Sequence, residues 1–114
     1  MYNNLLIYRN ELKMRSIPKY RTVGIVVELI LSKVIFKHNA EIIPFLKDVF
    51  SMECKNYVIK SRTLIVSKVC REIEQIENLS NINKKLYKFV CGQIQLIQEN
   101  SVLKKKNDFD GWID

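Results

Sequence analysis

The sequence predicts an all-α protein, a single-domain antiparallel bundle of four to five helices with a short C-terminal tail. Three observations lead there. A chain of 114 residues holds one domain and not two. Apolar residues make up 47% of it, enough to fill a core. Only three Gly and two Pro leave it without the closely spaced turn signals of a sandwich or barrel. The bundle is expected over residues 1–103 and the tail over 104–114.

The elements follow from spacing. Leu5, Tyr8 and Leu12 fall at i, i+3 and i+7, which predicts an amphipathic helix over about 3–15. Ser16-Ile17-Pro18 ends it, because the residue before proline is pushed out of the helical region. A second helix is expected over about 19–38. Its Val23, Ile25, Val26, Val27, Ile30 and Ile35 would also suit a strand, but the run is too long for one and no turn signal divides it. Ile42, Ile43, Leu46, Val49 and Phe50 mark a short third helix, with Pro44 in its first turn, where a missing N–H costs little. A fourth, over about 56–78, sets Val58, Arg62, Ile65, Val69, Ile73 and Ile76 on one stripe. Leu79 to Asn83 reads as a polar break, and a fifth helix over about 83–103 presents Leu86, Phe89, Val90, Ile94 and Ile97. Connections this short make an antiparallel bundle the economical arrangement.

Charge is the chain's strongest functional signal. The net charge is +7, and residues 1–60 carry most of it, with ten basic and five acidic groups. Between Leu12 and Val27 there is no acid, while Lys13, Arg15, Lys19 and Arg21 occur. Such a field draws an acidic partner: an acidic protein, a nucleic acid or an anionic surface. The sequence lacks the aromatic-basic alternation of an RNA-binding sheet and any arginine-rich tract, which disfavours nucleic acid. The apolar run Val23–Phe36 is interrupted by Glu28 and Lys33 and is too short for a membrane span. No signal peptide is expected, since Arg9, Glu11, Lys13 and Arg15 break up any early apolar core.

Catalytic and metal chemistry find little footing. There is no phosphate loop, nucleophile elbow or His-Glu-x-x-His motif. One histidine, His38, and three unclustered cysteines, Cys54, Cys70 and Cys91, signal neither a zinc site nor a disulfide framework and suit a reducing intracellular compartment. Glu72, Glu74 and Glu77 read as a solvated helix face, and Cys70 and Cys91 as inert thiols on apolar faces. No enzyme, cofactor or metal is expected. His38 is expected to cap the end of the second helix. In the tail, Phe109 and Trp112 stand among three aspartates after Lys104, Lys105 and Lys106. They form either a short motif that anchors in a partner or a plug folded back on the bundle.

One constellation is more specific. Ile7-Tyr8-Arg9-Asn10-Glu11-Leu12-Lys13 is followed, 29 positions after Ile7, by Phe36-Lys37-His38-Asn39, with Lys19-Tyr20-Arg21-Thr22 between them. Over about residues 5–40 this resembles the LYR-motif family of small mitochondrial adaptor and assembly proteins. Their first helix reads Leu-Tyr-Arg, two variable positions, then Leu and a basic residue; Ile7 stands where they carry leucine. The resemblance implies a mitochondrial adaptor that binds an acyl carrier protein and supports a respiratory or iron–sulfur assembly. It implies a partner-binding face of Tyr8, Arg9, Lys13, Phe36 and Lys37. It also implies an acyl chain lying between helices against Leu12, Val26, Ile30 and Phe36, unless those residues are simply core.

The sequence therefore leads to a non-enzymatic helical adaptor or assembly subunit that binds an acidic protein. Two other classes stay open. One is a basic nucleic-acid-associated or ribosome-bound subunit. The other is a small viral or bacterial regulator acting through its bundle surface or its Phe109–Trp112 tail.

Overall fold

The computed structural model describes residues 1–14 and 16–113, with side chains through Ser101. Its elements are α1 (Tyr2–Leu12), α2 (Lys19–Leu31), a single 3₁₀ turn (Asn39–Glu41), α3 (Ile42–Phe50), α4 (Asn56–Ile59), α5 (Arg62–Gln75) and α6 (Ser80–Ile113). No strand occurs among the described residues. The all-α class expected from the sequence is what the chain adopts.

Local chemistry explains most of the boundaries. Leu5, Tyr8 and Leu12 form the buried stripe of α1, as their spacing requires. Pro18 stands in the extended region just ahead of α2, and its carbonyl accepts the Arg21 and Thr22 backbone N–H groups at 3.0 and 3.3 Å. The β-branched residues of α2 remain helical because Ile25, Val26 and Ile30 lie on its buried face; fixing their stiff side chains costs little against that burial. Pro44 occupies the first turn of α3. Ser61 caps α5, its hydroxyl accepting the Leu64 N–H at 3.4 Å.

Four expectations are corrected. The second helix stops at Leu31 rather than near residue 38: Ser32 turns extended, and 32–38 form a turn-rich loop. His38 therefore caps no end of α2. It precedes the 3₁₀ turn, where its backbone N–H donates to Glu41 Oε1 at 2.8 Å. The expected fourth helix is two, broken at Lys60–Ser61, where the Ser61 cap starts a new helix. The expected break at Leu79–Asn83 is instead the start of α6: the Ser80 N–H bonds Asn78 Oδ1 at 3.0 Å, and Leu79 and Ile82 are buried.

Polar links at both ends of each pair fix how the helices run. Tyr2 at the start of α1 accepts a bond from Gln98 at 3.2 Å, while Leu12 at its end meets Lys84 and Tyr87, so α1 and α6 are antiparallel. Lys19 at the start of α2 donates to the Glu74 carbonyl at 3.3 Å. Arg62 at the start of α5 donates to the Ile30 carbonyl at 2.9 Å, so α2 and α5 are antiparallel too. The core runs through all of them and includes Leu5, Ile25, Leu29, Ile42, Ile65 and Leu86. Thr22, fully buried, ties α2 to α6 through a 3.0 Å bond to Asn83 Oδ1. Phe36, Phe45 and Phe89 join the 32–38 loop to α3 and α6, with ring centroids 4.6 to 5.6 Å apart. The 34 residues of α6 make a rod of about 51 Å at helical rise, close to the longest dimension of 58 Å.

Candidate functional site

Where α1 ends against α6, the two helices leave a cleft of about 410 Å³ lined by Leu12, Lys13, Lys84, Tyr87 and Lys88. Lys84 and Lys88 are one turn apart on α6 and so share an edge; Lys13 follows directly on the end of α1. All three lysines are exposed, around the apolar floor given by Leu12 and the Tyr87 ring. Among the described residues no carboxylate lines the cleft. The one acid of α1, Glu11, is paired instead with Arg21, whose guanidinium lies 5.8 Å from the centroid of the Tyr8 ring. The cleft thus keeps its positive potential.

Two residues behind it are held in polar but unsatisfied settings. The Tyr8 hydroxyl and Arg9 Nε are buried without a hydrogen-bond partner among the described residues. The Tyr87 phenol is raised above its ordinary 10.0, first by side-chain hydrogen bonding with Cys91 one turn on, then by desolvation and the Cys91 charge, against an opposing pull from Arg9. Tyr87 adds its ring to the cleft wall.

A second, larger cleft of about 630 Å³ opens between α3 and α6. Phe36, Phe45 and Phe89 give it an aromatic lining. Glu41 and Asp48 line it from the α3 side, and Lys85 and Lys88 from α6. Lys88 borders both clefts. Among the described residues no group of three or more His, Cys, Asp or Glu is gathered for a metal ion, and no helix is long and apolar enough to cross a membrane.

The residues singled out from the sequence are distributed unevenly over this surface. Leu12 and Lys13 come together in the first cleft. Tyr8 and Phe36 are only 2% and 4% exposed; Tyr8 lines neither cleft, whereas Phe36 forms part of the floor of the second. Lys37 is exposed but lies in the 32–38 loop and lines neither cleft, whereas Lys13 lines the first together with Lys84 and Lys88. Val26 and Ile30 are fully buried core residues, because the face of α2 that bears them is sealed inside the bundle. Of the four residues expected along an acyl chain, Leu12 lines the first cleft and Phe36 the second. The side chains of Phe109 and Trp112 lie outside the described residues.

Lys84, Tyr87 and Lys88 were not singled out, although the i, i+4 lysine pair is a readable edge of α6. Its meeting with Lys13, 71 positions away, is a tertiary fact with no local signal. No family pattern, curated protein or solved structure matches the chain.

Proposed function

We propose that this protein is a non-enzymatic helical adaptor that binds an acidic protein partner through the lysine-rimmed cleft between α1 and α6. The observation that carries the reading is the convergence of Lys13, Lys84 and Lys88 around the apolar floor of Leu12, with no acid in the lining among the described residues. An acidic helix laid there would exchange water for three ammonium groups and place an apolar side chain on Leu12. The lysines would set encounter rate and register, and the buried apolar contact would hold the complex. A net charge of +7 adds long-range steering. The resemblance of Ile7–Lys13 and Phe36–Asn39 to the LYR-motif family gives the reading its sharper form: an acyl carrier protein as partner, within a mitochondrial respiratory or iron–sulfur assembly.

The test is binding to a purified, fatty-acylated acyl carrier protein by the wild type and by a Lys13→Glu, Lys84→Glu double variant. Both positions are exposed, so helical circular dichroism should not change. The double reversal is expected to weaken binding by about 10- to 100-fold. Equal binding by the two proteins overturns the cleft as the site. Preferential capture of RNA, with affinity falling steeply as salt rises, overturns the acidic-protein reading.

A further inference from the structure

We propose that the aromatic cleft between α3 and α6 is a separate docking site for an amphipathic helix whose apolar strip has acidic residues along one edge and basic residues along the other. The cleft, at about 630 Å³, has the volume of a small-ligand site and is open along one side. Its floor is built of Phe36, Phe45 and Phe89, the kind of rigid apolar surface that anchors bulky side chains.

The rim chemistry selects the occupant. Glu41 and Asp48 are seven residues apart, two helical turns, and so fall on one edge of the 3₁₀–α3 run. Lys85 and Lys88 are three apart and share an edge of α6. Acid therefore faces base across an aromatic floor. Yet among the described residues the one ion pair is Arg21–Glu11, so no carboxylate of one wall is directly paired with a lysine of the other. A carboxylate-headed amphiphile placed between them would meet two lysines and two carboxylates, gaining on one wall what it loses on the other. So would a uniformly acidic or uniformly basic helix. A helix with opposite edges meets its complement on both walls. Turning it end for end exchanges its edges, so the walls also impose one direction along the groove. The wall Glu41–Val49 is about 13 Å long, which takes two to three turns of such a helix.

This site goes beyond the proposed adaptor reading and does not depend on it, since neither Lys13 nor Lys84 lines it. The probes are three synthetic helical peptides of about fourteen residues sharing one leucine strip at i, i+3, i+4 and i+7. Their edges are Glu and Lys, Glu and Glu, or Lys and Lys. In fluorescence anisotropy with the full chain, the mixed-edge peptide is expected to bind at least about tenfold more tightly than either uniform one. Asp48→Lys should shift the preference toward the all-Glu peptide, and Lys85→Glu toward the all-Lys peptide. Both positions are exposed, so the fold is not at stake. The Lys13→Glu, Lys84→Glu variant should bind the mixed peptide like wild type, which separates this test from the previous one. Equal affinity for the three peptides, or a ranking that neither substitution moves, overturns the proposal. So does self-association in sedimentation that the peptides cannot displace, which would give the cleft to a second copy of the chain.

Discussion

Arg62 sits in the first turn of α5, yet its guanidinium serves the end of α2. It donates to Asn39 Oδ1 at 2.8 Å, to the carbonyls of Ile30 and Ser32 at 2.9 and 3.1 Å, and to the carbonyl of Phe36. Asn39 passes the chain of bonds on to the Ile59 carbonyl at 2.8 Å. A helix that stops leaves carbonyls without partners, and here one planar cation gathers them where α2 gives way to a loop. A lysine has the charge but not the fork. Arg62→Lys is therefore expected to lose about 2–4 kcal/mol in urea unfolding, close to the loss from Arg62→Ala, because buried carbonyls go unsatisfied in both. Stability within a few tenths of wild type for the lysine variant would contradict the clamp. The sequence could not announce this role: periodicity put Arg62 on an apolar stripe, and its acceptors lie 23 to 32 positions away. Tyr8 was legible as the middle of the α1 stripe and its burial follows from that spacing, whereas the orphaned hydroxyl it carries inward does not.

At the scale of elements, α1 and α3 were readable because each buries a stripe that the 3.6-residue period spells out. Within α3 the period is a looser guide: Ile43, one of the residues that mark the helix in the sequence, is 47% exposed, whereas Phe45 is buried. The end of α2 was not readable, since no glycine or proline marks it and the Arg62 clamp substitutes for a local stop signal. The end of α3 carries a signal of another kind. Ser51 adopts the left-handed conformation at φ 54°, closing the helix through its N–H to the Lys47 carbonyl at 3.0 Å. An L-residue with a Cβ is strained there and glycine is not. Ser51→Gly is expected to raise stability by about 0.5–1 kcal/mol, the relief of strain exceeding the extra freedom glycine gives the unfolded chain. Thermal or chemical unfolding reads it directly, and a destabilised variant would mean the Ser51 side chain has a bond that outweighs the strain.

The whole molecule is a set of helices hung on one rod. Its radius of gyration, 16.3 Å, exceeds the roughly 13 Å expected for a compact domain of this length, because α6 outruns its neighbours. The bundle class was legible from composition and period. The clefts were not, because each is made by side chains of two helices distant in sequence. At this scale the net charge of +7, relieved by one ion pair among the described residues, makes the fold mildly self-repelling. Raising salt from about 0.05 to about 0.5 M shortens the screening length several-fold. The melting temperature is expected to hold or rise across that range, while affinity for an acidic partner falls. A melting temperature that drops with salt would show that attraction between charges, not burial, dominates the fold's stability.

Lys88 gives the two clefts a shared border, with Tyr87 on one side of it and Phe89 on the other. Its ammonium carries three N–H donors, so acceptors in both clefts can reach it. Whatever effect an occupant of one cleft has on binding in the other is returned by the same factor. Two landing places that look independent are thus linked at one lysine on the rod.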